Sequence, residues 1–272
     1  MLGSPCSSSP ARASCRRISG GPHIGLADSE RPWPGAKGAR LARRALPGFR
    51  AGRPARLLIR AIASNPARAF NPYTARMAAY DRTTALVVVD VQNDFADPGG
   101  SLHVPGGAEI IPRINEEIAR ASDAGALVVY SQDWHPPHTP HFQQDGGIWP
   151  VHCVAGSWGA AFHPALDVRA GREIIRKGAR GEDGYSVFSV RDVHEGTVCP
   201  TELEGLLRGA GVTRIVLAGL ATDYCVKETA LDARRLGFEV DILRAAVRAV
   251  DLQPGDGDRA LAAVAAAGAR IR

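Results

Sequence analysis

Cys225 follows Ala221-Thr222-Asp223-Tyr224, where a strand-like run gives way to a helix-like one. At a helix start, backbone N–H groups and the helix dipole favour a thiolate, and a nearby lysine adds to this. The competing reading is a buried structural cysteine. Asp90 closes an apolar run, where a carboxylate is costly unless it is paired or used. Beside a cysteine it can serve as general base; otherwise it caps the turn with Gln92 and Asn93. Lys177 closes a second apolar run. Between Asp90 and Cys225 it would balance charge and lower the thiol pKa, whereas alone it is a solvated strand end. Cys153 and Cys199 lack such a setting and read as structural.

A second cluster lies between Gln132 and Leu166. It offers Asp133, His135, His138, His141 and His152, and its four histidines are half of the chain's eight. An Asp-x-His start with further histidines supplies the hard and borderline ligands that suit Zn²⁺, Fe²⁺ or Mn²⁺. No paired thiols contribute, so an open site for one divalent metal ion is favoured over a closed structural one. The alternative is a Pro-rich surface loop with incidental histidines.

Regular elements must hold these groups. Thr84–Val91 reads as a buried strand, short and β-branched. Ala108–Ala124 has helical spacing, with Ile110, Ile111, Ile114 and Ile118 on one face and Gly125 as a stop. Strands are expected at Ala126–Ser131, Glu173–Arg176, Arg214–Gly219 and Phe238–Leu243, with a sixth at Ala269–Arg272. Helices are expected at Thr201–Gly209, Asp223–Leu236 and Asp256–Ala267. The alternation implies an α/β, three-layer architecture: a mainly parallel sheet of about six strands with helices on both faces. Ligands in such a sheet bind beyond the carboxyl ends of the strands. Asp90, Asp133-Trp134-His135, Lys177 and Cys225 each follow or close a strand, so all are expected at one edge.

Asp90-Val91-Gln92-Asn93-Asp94-Phe95, Gly99-Gly100-Ser101-Leu102 and Val104-Pro105-Gly106-Gly107 closely resemble the opening of nicotinamidases (pyrazinamidases). Asp133-Trp134-His135-Pro136-Pro137 and Trp149-Pro150-Val151-His152-Cys153 are similar to that family's metal loop. Lys177-Gly178, Tyr185-Ser186-Val187-Phe188 and Ala221-Thr222-Asp223-Tyr224-Cys225-Val226 complete the resemblance, which covers residues 83–272. The first motif alone would indicate only the wider isochorismatase-like cysteine hydrolase superfamily and its fold. The resemblance implies a triad of Asp90, Lys177 and Cys225, and an oxyanion hole from the backbone of Ala221 and Cys225 after a cis peptide. It also implies a metal held by Asp133, His135 and His152, with His141 on the variable fourth position, and a pocket lined by Phe95, Trp149 and Tyr185. Val187 departs from the usual Ala or Gly and is expected to tighten the pocket. The implied reaction is hydrolysis of nicotinamide to nicotinate and ammonia, in NAD salvage. The rival within the superfamily is an amidohydrolase for N-carbamoyl or ureido substrates, which would not need the metal loop. A non-catalytic metal-binding or interaction protein is the reading from another class.

Charge is unevenly spread over the 272 residues. Residues 1–76 hold 14 Lys and Arg against Asp28 and Glu30, whereas residues 77–272 hold 19 basic and 26 acidic groups. The net +5 therefore does not argue for nucleic acid as a partner. No apolar run is long enough to span a membrane. Five cysteines without a CxxC pair point to free thiols rather than a disulfide framework. Residues 1–76, rich in Arg, Ala, Pro, Gly and Ser, are expected to be a disordered basic extension to a hydrolase domain over 77–272. It reads either as upstream of a true start at Met77, with a cytoplasmic protein, or as an organellar transit peptide. A small-molecule substrate is the expected partner, and a homo-oligomer is left open.

Overall fold

The computed structural model describes residues 80–168, 173–193 and 195–272. The expected disorder of residues 1–76 and the start at Met77 lie outside the described residues.

Every residue of β1 (Thr84–Val89) is buried, which is why its sequence is an unbroken apolar run rather than an alternating one. Alternate side chains serve opposite faces. Ala85, Val87 and Val89 join a core that takes Leu203 and Leu207 from α3 (Leu203–Gly209), Ala230 and Ala233 from α4 (Lys227–Arg235), and Leu261 and Val264 from α5 (Asp256–Ala266). Leu86 and Val88 are equally buried but lie outside that cluster. α1 is a single turn, Asn93–Ala96, and α2 (Ile111–Asp123) packs on β1 and β2 (Leu127–Asp133), burying Ile111, Ile114, Ile118 and Ala121. The expected helix over Ala108–Ala124 opens as a 3₁₀ turn, Ala108–Ile110, before Pro112 takes its place in the first α-turn.

The remaining strands are β3 (Glu173–Lys177), β4 (Ser189–Arg191), β5 (Val198–Pro200), β6 (Arg214–Leu220), β7 (Glu239–Arg248) and β8 (Arg270–Ile271). Of the eight strands among the described residues, six form one sheet in the order β3-β2-β1-β6-β7-β8, with every neighbouring pair parallel. The chain works outward from β1 through β2 to β3, then returns to β1's other side and works outward from β6. The switch point is thus between β1 and β6, where the loops leaving two adjacent strands diverge and open a crevice. Asp90 leaves one of those strands and Cys225 the other.

Several local departures matter for that crevice. β1 stops at Val89 rather than Val91, because Asp90 adopts a left-handed backbone (φ 49°) that turns the chain out of the sheet. β2 runs on to Asp133. The expected helix from Asp223 begins instead as a π-helical turn, Thr222–Val226, ahead of α4. β4 and β5 form an antiparallel pair that the sequence did not suggest. Cys153 and Cys225 are free and buried. Gly219 cannot be replaced without displacing backbone: a Cβ there would stand 2.0 Å from the Val89 carbonyl oxygen. That close approach of β6 to β1 brings the two sides of the crevice together.

Candidate active site

Asp90, Lys177 and Cys225 converge at the switch point. The Lys177 ammonium lies 2.8 Å from Asp90 Oδ2 and donates to Cys225 Sγ at 3.4 Å. It also contacts Asp133 Oδ1. Ser131 Oγ donates to Asp90 Oδ1 at 2.7 Å and fixes the carboxylate from the other side. Asp90 and Lys177 are almost wholly buried and Cys225 is 6% exposed, so their charges interact with little screening.

Electrostatics sets a resting state. Burial works against the Lys177 ammonium, but Asp133 and Asp90 outweigh it and lift its pKa well above that of an ordinary lysine. Burial also raises Asp90, and Asp133 adds to this, while Lys177 and the Ser131 hydrogen bond pull it down. Burial pushes the Cys225 thiol well up; Lys177 opposes, and Asp90 and Asp133 reinforce it. This corrects the expectation of a thiol made acidic by its helix start and lysine. One ammonium already serves two carboxylates, so burial leaves the cysteine as a thiol. It needs a base, and an Asp90 carboxylate oxygen lies within 4.8 Å of the sulfur.

Beside this triad, ligand atoms of Asp133, His135 and His152 all lie within 4.8 Å of one another. Asp133 Oδ2 is 3.8 Å from His135 Nε2 and 4.0 Å from His152 Nε2. The donor set fits a divalent ion. Both ring nitrogens of His135 are buried without a hydrogen-bond partner, a costly state for an imidazole unless a ligand is meant to fill it. His152 Nδ1 lies 2.8 Å from the Pro150 carbonyl, which can only accept, so Nδ1 carries the proton and Nε2 presents its lone pair. Burial and His135 depress the His152 pKa to about 3, which keeps the ring neutral as a metal requires. Gly178 leaves the room: a Cβ there would stand 2.6 Å from the His135 ring. Asp90, Asp133 and Cys225 also come within 4.8 Å of one another, but Lys177 already puts its cation among them.

His141 stands a step back from the three-ligand group, its ring centroid 5.2 Å from His135 and 6.2 Å from His152. His138 points away, exposed and paired with Asp145. Beside the metal group opens a cleft lined by Phe95, Trp149, Tyr185, His141, Ala221 and Cys225. Trp149 Nε1 donates to Tyr185 Oη at 2.9 Å, locking two walls together. Tyr224 is a wall that sequence reasoning missed, edge-on to Trp149 at 5.1 Å; its place next to Cys225 was the available signal. Val187 does not reach the cleft. It is fully buried in the core with its N–H on Thr229 Oγ1, so it cannot tighten the pocket as expected. The Leu220–Ala221 peptide is cis.

The family model for the isochorismatase domain matches residues 84–272. The chain belongs to the isochorismatase family. Within it, the nicotinamidase of Escherichia coli (strain K12) is 39% identical over 204 residues, covering 69% of this chain and 93% of that protein. The pyrazinamidase of Pyrococcus horikoshii, solved in complex with zinc, is 42% identical with a TM-score of 0.62, covering 70% of this chain and 98% of that one. PnC1 from L. infantum, solved in complex with nicotinate, is 37% identical with a TM-score of 0.65, covering 72% and 95%. The isochorismatase-family sheet in this chain therefore carries a cysteine, a buried ion pair and a metal-competent trio around one aromatic cleft.

Proposed function

We propose that this chain is a nicotinamidase, an amidohydrolase that converts nicotinamide to nicotinate and ammonia through a thioester on Cys225. The observation that carries this reading is the cleft itself. Aromatic walls from Phe95, Trp149 and Tyr185 suit a flat heteroaromatic ring, and the Cys225 thiol and the metal ligands Asp133 and His152 line the same cleft. An aliphatic ureido substrate offers no ring for those walls and no ring nitrogen for the ion, which disfavours that alternative. The E. coli nicotinamidase and the nicotinate complex of the L. infantum protein support the same substrate.

In the reaction, Asp90 takes the Cys225 proton and the sulfur attacks the carboxamide carbon. Lys177 stays charged throughout and holds the carboxylate and the sulfur in register. The backbone N–H groups of Ala221 and Cys225 receive the developing oxyanion, a contribution typically worth about 3 kcal/mol per donor. Asp90 returns its proton to the departing nitrogen, so ammonia leaves and a thioester remains. Water then enters, gives a proton to Asp90 and attacks the same carbon; the C–S bond breaks, the thiol is restored and nicotinate is released. Asp133, His135 and His152, with His141 at a further position, would hold a divalent ion, which would supply a Lewis acid for the pyridine nitrogen; zinc is the choice that the Pyrococcus structure supports.

Ammonia release measured across nicotinamide, pyrazinamide and an N-carbamoyl amine tests the assignment. The two ring amides are expected to turn over and the carbamoyl compound is not. Faster release from the carbamoyl compound would replace nicotinamidase by the rival reading.

A further inference from the structure

We infer that Gln92 is a positioning residue for Asp133, its side-chain amide standing in for a strand that the sheet lacks at that point. The inference rests on the reading that Asp133 is shared between the ion pair and the metal group.

β1 and β2 run in parallel register from Ala85 with Leu127 to Val88 with Tyr130. β1 then leaves the sheet at Asp90, as the crevice requires, while β2 continues to Asp133. On its other edge Asp133 still has a neighbour, pairing in register with Lys177. The edge facing the departed β1 would expose one peptide N–H and one carbonyl inside a buried site, an expensive arrangement. Gln92 covers both. Its Oε1 accepts from Asp133 N–H at 2.8 Å, and its Nε2 donates to the Asp133 carbonyl at 2.7 Å. The same Nε2 donates to the Ala160 carbonyl at 2.9 Å, so the amide cannot flip without losing all three bonds.

The clamp has a rigid base. Gln92 is fully buried, and flanking backbone bonds from Asn93 N–H to the Ala161 carbonyl and from His163 N–H to the Val91 carbonyl tie its segment down. With the Asp133 backbone held on both edges, its carboxylate is aimed two ways: Oδ1 at Lys177 and Oδ2 at His135 and His152. Releasing one edge frees that aim. Loss of partners outside the ligand shell typically weakens metal binding about 10–100-fold.

The test uses the full chain with Gln92→Met, which keeps the length and removes the hydrogen bonds, and Gln92→Glu, which keeps one acceptor and sets a carboxylate against two carbonyls. Zinc affinity of the metal-stripped protein is measured by competition with a chelating dye, together with amide exchange at Asp133. Both variants are expected to bind zinc about 10–100-fold more weakly than wild type, with faster Asp133 exchange. Should Gln92→Met not fold, Gln92→Glu carries the same comparison. A folded variant with wild-type zinc affinity and wild-type exchange overturns the inference, because a purely structural glutamine would lower only the melting temperature. If wild-type protein binds no zinc, the metal reading fails, and exchange at Asp133 still decides whether Gln92 is the clamp.

Discussion

Lys177 meets the Cys225 sulfur at 3.4 Å while its other contacts, Asp90 and Asp133, are both carboxylates. The lysine is therefore the cation of a buried network rather than a proton donor to the reaction, and its pKa is held well above the usual range. Lys177→Met would leave the Asp90 carboxylate buried without its counter-charge. Breaking a buried pair in this way typically costs about 3–5 kcal/mol. Urea unfolding of Lys177→Met is expected to show a loss of that order together with loss of turnover. Full stability in the variant would mean that the Asp90 carboxylate does not depend on Lys177.

The pocket walls can be weakened without touching the chemistry. Tyr185→Phe removes the acceptor for Trp149 Nε1 and keeps the ring. A neutral hydrogen bond of this kind is worth about 0.5–1.5 kcal/mol, so KM for nicotinamide should rise by about 2- to 10-fold with kcat little changed. A fall in kcat at unchanged KM would place Tyr185 in the chemical steps instead.

A pH-dependent contribution to stability lies away from the site. The Asp81 carboxylate accepts hydrogen bonds from Thr84 Oγ1 at 2.8 Å and from the Thr83 hydroxyl and N–H at 2.8 and 3.0 Å, at the entry to β1. These bonds, that of Thr84 foremost, hold its pKa below the ordinary 3.8. A carboxylate depressed on folding stabilises above its unfolded value, and that stability is lost as pH falls through the folded one. The group is exposed, so the contribution is below about 1 kcal/mol after solvent screening. Asp81→Asn should be less stable than wild type at pH 7, and the gap should close as the pH is taken below 3.8. A gap that does not change with pH would rule out the carboxylate as its source.

The strand-end logic of a parallel sheet was enough to bring Asp90, Asp133, Lys177 and Cys225 to one edge, because each closes or follows a run whose apolar character is plain in the sequence. The metal cluster was readable as a group, because Asp133 and His135 sit two apart at the end of β2 with further histidines after them, whereas the choice of His152 over His138 came from the resemblance of Trp149–Cys153 to the nicotinamidase metal loop. What stayed hidden depends on pairing across the chain. Gln92 clamps Asp133 only because β1 leaves the sheet at Asp90, and no local pattern announces a side chain that replaces a strand. The β4–β5 pair is three residues on each side, too short to show a period. The π-helical turn at Thr222–Val226 has the composition of an ordinary helix start. The state of the Cys225 thiol was misjudged because burial and two carboxylates, contributed by β1 and β2, outweigh the nearby lysine.

The central claim is that Cys225 carries the acyl group. Rapid acid quench of wild-type protein turning over nicotinamide, followed by mass spectrometry of the peptide containing Cys225, measures this directly. The account predicts a nicotinoyl adduct on that peptide, and none in Cys225→Ala, which should bind zinc as wild type does and release no ammonia. Ammonia release by Cys225→Ala at a rate near that of wild type would contradict it.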